Sequence, residues 1–520
     1  MANRDNRFGR FKFGTSHKFG ASSFDMPALA WDISIDWDGD GVFEVNESNL
    51  MTGIHIKRGR TRLLKSQGVG LENIPTGTAS ITLRNRDGRF DGWNQSSPLY
   101  PNVGSKKDVR IRVRPLDGST VYPLFYGQIS NINPSGANDR NVTISVRDGM
   151  DVLRNATARV AMQQNIAPGA AMALILAAAK WKPAWGSNID SSVETIPYWW
   201  ASGNKRAMSE LEDLAESFLG YFFCDARGRA RFVDRGTVGD IVANFDQADL
   251  LKEIGNSQPS EVQRDVTRIK VHPRTQAATG IIWQLIGSVP SIVNGDKLKI
   301  FVNYTYANAS VPAINVQTPV YTGVPGTSDI LCNSQSDGAG TDLTGGCTIS
   351  LTDFGDNGLL TITNNSGSTV HVVKGQVQGD AIYEVNASDV TYPANIEDAD
   401  TLREMILDLP WQQDFNSAVD IANVLGAFYS GLHPMPSTQY ENRFDKQFLP
   451  DLFDIATADL PKLGLIGESF RVGGIEHKSI NTDNCQSIRS RFWLEPYVAA
   501  GNYMQWDTNS VWNTSTIPGW

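Results

Sequence analysis

The feature that most constrains this chain is an alternation of apolar and polar residues with a period of two. Trp31, Ile33, Ile35 and Trp37 alternate with Asp32, Ser34, Asp36 and Asp38. Successive side chains of an extended strand point to opposite faces, so this order makes one apolar and one polar face. The alternation returns in residues 79–83, 109–113 and 141–146, with Gly- and Asp-bearing turns between them. A chain written this way builds sheets. At 520 residues it is too long for one ordinary core, so several folded units are expected.

The pattern changes along the chain and suggests where those units lie. Residues 1–27 are a polar, basic arm with aromatics between glycines and cations, which either orders on a partner or stays disordered. Residues 28–156 read as a β-barrel-like domain. Residues 157–250 read as an α/β module, with helices over 170–180 and 205–219. In the second, Met208, Leu211, Leu214, Ala215 and Phe218 fall at helical spacing and Gly220 stops it. A hairpin of 221–224 and 230–233 follows. Residues 281–392 have few charges and much Thr, Val, Asn and Gly, which suits an inserted β-sandwich. That insert splits a second β-barrel-like domain into 251–280 and 393–496, where helices are expected at 399–408 and 417–429. Residues 497–520 form a C-terminal extension bearing Trp506, Trp512 and Trp520. The expected fold class is therefore mainly β with α+β portions, in several domains.

Composition narrows the function. A formal net charge of −10 disfavours a general nucleic-acid binder, because phosphate contacts need clustered Lys and Arg. No run approaches the ~20 apolar residues of a membrane span, and the first residues lack a signal-peptide core. The chain is expected to be made in the cytoplasm and to stay soluble until it assembles. Cys332 and Cys347 flank a Gly/Ser/Asp-rich stretch; they are read as reduced thiols on neighbouring strands, with a local bridge as the alternative.

The sharpest local signal is the run from Asp36 to Glu47. Asp36, Asp38, Asp40, Glu44 and Glu47 occupy positions one, three, five, nine and twelve of a calcium loop, with Gly41 at six and Val42 offering a carbonyl. The flanks read as strands, and Asp-Gly-Asp-Gly is also a good metal-free turn. If calcium binds here, its role is to brace the loop.

Arg110, Arg112 and Arg114 share one strand face, and Arg58, Arg60 and Arg62 show the same spacing. A solvated sheet face explains such stripes better than an acidic partner. His477 sits in a strand beside Glu476 and reads as a half-buried structural residue. There is no Gly-x-Ser-x-Gly elbow, and no catalytic residue is expected. Trp199, Trp200, Trp506, Trp512 and Trp520 are read as interface anchors, with sugar-stacking platforms as the other use of exposed aromatics and simple burial as a further alternative for Trp199 or Trp200.

Three stretches carry a resemblance. The first runs from Ile35-Asp36-Trp37-Asp38-Gly39-Asp40-Gly41 through Ile56-Lys57-Arg58-Gly59-Arg60 and Gly77-Thr78-Ala79-Ser80-Ile81-Thr82-Leu83-Arg84 to Val146-Arg147-Asp148-Gly149. The second is residues 211–233 and the third residues 464–494, around Gly474-Ile475-Glu476-His477. In this order they resemble tail hub or minor tail proteins of long-tailed bacteriophages, related to the trimeric baseplate hub of contractile tails. The resemblance implies two β-barrel-like domains with an α/β portion between them, in a ring, usually a trimer, within the virion tail. Its implied partners are the chain itself, the distal tail protein, the tail tube, a central fibre or spike and tape-measure-like proteins, with DNA passing through unbound. A carbohydrate-binding or cell-wall-degrading tail protein is the alternative.

Overall fold

The computed structural model describes residues 29–497 apart from 44, 61–72, 117, 136–139, 193, 235–236, 238, 247–254, 258–262, 386–387, 393–402, 431–432 and 481–486. The N-terminal arm, the C-terminal extension with Trp506, Trp512 and Trp520, and Glu44, Arg62 and Cys485 lie outside the described residues. The chain is mainly β.

Its first unit is an antiparallel set of seven strands. They run in the order Met51–Gly59, Thr78–Arg84, Asn141–Arg147, Tyr122–Pro134, Asp108–Pro115, Leu29–Ile35 and Val45–Asn46. The period-two pattern sets which face is buried: Ile33, Ile56, Ile81, Ile111 and Ile144 are wholly inside. Each contributes on the order of 1.5–3 kcal/mol relative to leaving it in water.

A second set comprises Ile241–Asp246, Gly255–Ser257, Met435–Glu441, Ile455–Leu460, Leu465–Ser479 and Ile488–Pro496. Leu465–Ser479 pairs with both Ile455–Leu460 and Ile488–Pro496, and its far half also pairs with Met51–Gly59, Gly59 opposite Gly474 and His55 opposite Lys478. The two β units are thereby one thirteen-stranded sheet.

Between them in sequence lies the α/β module. Helix α1 (Met150–Asn155), α2 (Pro168–Ala178) and α3 (Ala207–Ser217) pack beside the paired strands Thr157–Ile166 and Ile196–Arg206. Pro168 opens α2, where a missing N–H costs nothing. The hairpin Tyr221–Cys224 and Ala230–Val233 forms as its sequence predicts.

One expected helix is a strand. Glu404–Asp408 runs parallel to Val266–Val271, with Met405 and Leu407 inside and Glu404, Ile406 and Asp408 outside. Residues 402, 405, 406 and 409 mimic helical spacing, but pairing with a strand far away in sequence decides the outcome. On the other side Val266–Val271 takes Ser388–Tyr392. Helix α4 (Phe415–Ser430) covers this small sheet, approaching so closely that a Cβ on Gly426 would sit 2.0 Å from the Tyr392 ring.

The insert begins earlier and ends earlier than its composition suggests. Arg274–Gln276 already belongs to it, whereas Ser388–Tyr392 returns to the body. Its long strand Val370–Glu384 pairs in turn with Arg274–Gln276, Gly280–Gln284, Ser291–Ile292, Ala313–Gln317 and Ile330–Asn333. A second sheet, Lys297–Asn303, Asn357–Asn364 and Cys347–Asp353, shares its core. Cys332 and Cys347 are free thiols in these two different sheets rather than on neighbouring strands.

Candidate functional site

The two β units join at a seam with unusual chemistry. Arg58 lies on the same face as Ile54 and Ile56, and all three are buried. Its Nη2 donates to the Cys224 carbonyl at 3.1 Å and pairs with Asp451 Oδ1 at 2.7 Å. Arg60 Nη1 donates to both carboxylate oxygens of Glu495, at 2.9 and 3.0 Å, with both side chains about 5–6 % exposed. The Arg60 guanidinium also lies over Tyr221 and Phe453, which stack on each other 4.3 Å apart.

Glycines make this approach possible. A Cβ on Gly59, which has φ +70°, would lie 2.4 Å from the Gly473 carbonyl; one on Gly474 would lie 2.1 Å from the Arg60 carbonyl. Burial alone would raise the Asp451 carboxyl. Arg58 and the N–H groups of Ala226 and Leu452 instead hold it below the usual carboxylate range. The seam thus corrects the expectation of a solvated arginine face: Arg58 and Arg60 are interior groups. Two charges in the interior are tolerated because each guanidinium has its carboxylate and further contacts. Asp451 and Glu495 were not singled out in the sequence, since nothing local marks them.

The second stripe is solvated only in part, and Arg110 Nε is buried without a hydrogen-bond partner. Arg110, Arg112 and Arg114 alternate with buried Val109, Ile111 and Val113. Arg112 pairs with Asp32 on the adjacent strand, Arg110 lies 4.5 Å over the Phe43 ring, and Arg114 is exposed.

In the acidic turn, carboxylate oxygens of Asp36, Asp38 and Asp40 all lie within 4.8 Å of one another. Asp36 is buried and accepts from the N–H groups of Gly39 and Gly41; Asp38 and Asp40 face solvent, and Asp40 accepts from Val42 N–H. That donor set suits a hard cation. Glu47 is buried and engaged elsewhere, by Arg89 Nη2 at 2.9 Å.

The aromatic pair at 199–200 is placed differently from the expected anchors. Trp199 is wholly buried against the module's helices and offers no surface to a partner. Trp200 is half-buried where the insert meets the body, and Arg274 spans it and Trp411, 5.0 Å from each ring. Nearby, His272 contacts Glu384 of the insert at 3.1 Å and Asp408 of the body at 2.6 Å. Arg274 and these neighbours carry no local signature that would have marked them.

His477 is fully buried rather than half-buried. Its Nδ1 sits 2.7 Å from Ser490 Oγ, a pair that invites comparison with a hydrolase. Burial, reinforced by Arg58, pushes the imidazole down to about 3, so it is neutral at physiological pH. Ser490 has no exposed surface, and Gln447 Nε2 donates to its hydroxyl. A serine closed off from solvent cannot attack a substrate, so this network is structural.

No family model matches this chain, and no curated protein matches it. Among solved structures it is similar to a tail protein from Neisseria meningitidis MC58, at 7% identity over 92% of this chain and 99% of that one, TM-score 0.49. It is also similar to the 43 kDa tail protein of prophage MuSo2 from Shewanella oneidensis, at 10% identity over 90% and 98%, TM-score 0.45. A third is the prophage tail protein gp18 from Listeria monocytogenes EGD-e, at 8% identity over 89% and 94%, TM-score 0.42. No helix among the described residues is long and apolar enough to cross a membrane.

Proposed function

We propose that this chain is a structural hub of a phage tail tip or baseplate, an oligomeric ring joining the tail tube and distal tail protein to a central fibre or spike. The observation that carries the reading is the seam. Strands from opposite ends of the chain form one thirteen-stranded sheet, and Arg58–Asp451 and Arg60–Glu495 clamp it from within. Buried pairs of this kind favour one arrangement of the two units over sliding alternatives, which is what a rigid adaptor needs. The net charge of −10 suits a lumen that DNA crosses without sticking. In this reading the ring is a trimer in the virion tail, and tape-measure-like proteins are among its neighbours.

The test is mass photometry of the purified chain, together with imaging of particles to locate it. A ring of defined size at the tail tip is expected. A strict monomer that depletes or cleaves a glycan would overturn the proposal in favour of a sugar-binding role.

We also propose that Asp36, Asp38 and Asp40, with the Val42 carbonyl, hold a structural calcium ion; Glu47 would join only on leaving Arg89. Calcium should then raise the melting temperature, and Asp38→Ala should abolish the rise. Identical melts in calcium and in chelator would remove the site.

A further inference from the structure

A cleft of about 380 Å³ opens where three parts of the chain meet. One wall comes from residues 120–124, another from the hairpin turn at 225–231, and the third from residues 447–454. Four guanidinium groups border it, from Arg58, Arg227, Arg229 and Arg231, against three carboxylates.

The carboxylates are already engaged. Asp225 Oδ1 accepts from the N–H groups of Arg227 and Arg229, and its Oδ2 from Arg229 Nε at 2.6 Å. Asp451 is held by Arg58 and by the N–H groups of Ala226 and Leu452. Asp454 accepts from Asp451 N–H, and burial, helped by the Asp451 charge and opposed by that hydrogen bond and by the Arg231 and Arg58 charges, pushes its carboxyl up to about 6. Arg58 and Arg229 thus have their acceptors. The Arg231 side chain makes no hydrogen bond among the described residues: its Nε is buried without a partner, and its charge acts on Asp454 without forming an ion pair. Arg227 is exposed and forms no ion pair among the described residues.

Arg227 and Arg231 both line the cleft, and guanidinium groups match planar carboxylates best. The rim is apolar: Val121 and Leu449 are each about half exposed. A cationic floor under an apolar rim is complementary to a carboxylate flanked by an aliphatic side chain. A bare phosphate would satisfy the arginines but leave the rim uncovered.

We propose that this cleft docks an acidic segment of a neighbouring tail protein, with a carboxylate reaching Arg231 and Arg227 and an apolar residue lying across Val121 and Leu449. The proposal rests on reading the chain as an adaptor. The position fits that role, because a peptide seated there touches the first β unit, the α/β hairpin and the second β unit at once.

The test uses the full chain and calorimetric titration with the capped peptide Leu-Glu-Leu-Glu, its Leu-Gln-Leu-Gln counterpart, and inorganic phosphate. The glutamate peptide should bind and the glutamine peptide should not. Arg231→Gln should weaken binding about tenfold or more, and raised salt should weaken it further. Arg227→Gln, at an exposed position, serves as the second variant should Arg231→Gln fold poorly, and should weaken binding in the same direction. No binding of the glutamate peptide, unchanged affinity in both variants, or phosphate binding more tightly than the peptide would each overturn the proposal. Ring size, measured on the same variants, should stay at the wild-type value. Failure of the wild-type chain to bind the glutamate peptide while its ring is intact sinks the cleft alone, whereas a monomer that still binds the peptide sinks the hub reading.

Discussion

Two strands of one sheet carry arginines at the same spacing, Arg58 and Arg60 at the end of Met51–Gly59, and Arg110 and Arg112 within Asp108–Pro115. The first two are interior and clamp the halves of the molecule; Arg112 is half-buried and pairs with Asp32, and Arg110 is half-buried against Phe43. Parity separates them. Arg58 shares its face with Ile54 and Ile56, so it continues the apolar row. Arg110 and Arg112 oppose the row of Val109, Ile111 and Val113. An arginine in phase with the apolar residues needs a carboxylate brought from elsewhere in the chain, whereas one out of phase needs only water. Spacing between arginines is therefore uninformative until it is read against the apolar residues beside them.

The comparison is broken most directly at Arg60. Arg60→Met leaves Glu495 as an uncompensated interior charge and should cost about 3–5 kcal/mol in a denaturant titration. Adding Glu495→Leu should recover much of that loss. If the single variant costs no more than a surface substitution, the seam is not a clamp.

Glu210 sharpens the point, because it is as buried as Glu495 but has no ion pair among the described residues. Burial, with Asp213 and Asp356 adding repulsion against the help of Lys205, raises its carboxyl from 4.5 to about 7. The native state therefore holds a proton that the unfolded chain has released between those values. Its contribution to stability falls as pH rises from 4.5 to about 7, and is regained on acidification. Glu210→Gln should flatten the pH dependence of unfolding across that window, and a profile identical to wild type would refute the assignment.

The smallest effect is expected at the Arg112–Asp32 pair. Arg112→Ala should cost less than about 1 kcal/mol, and the loss should shrink further at high salt. A cost matching that of Arg60→Met would erase the distinction between the two strands.

Local pattern accounts for much of what can be read directly. The strands around Ile33, Ile81, Ile111 and Ile144, helix α3 and the hairpin after Gly220 all follow from side-chain period and turn residues, because burial of one face is decided within a few residues. Gly474 falls in a stretch that carries the resemblance, but its close approach to the Arg60 carbonyl has no local signature. The same limit applies to residues 404–408, where a helix-like spacing yields to a parallel partner.

By itself, the sequence determined that the chain would be a multi-unit β protein with an α/β interlude, since periodicity acts over the length of a single strand or helix. Only the tertiary structure decided that the two β units share one sheet, that Arg58 and Arg60 meet Asp451 and Glu495, that Trp199 is core, and that Arg231 borders a cleft with its Nε unpartnered. Those outcomes depend on residues hundreds of positions apart, and the free energy of a charge or an indole depends on what surrounds it, which no local pattern records.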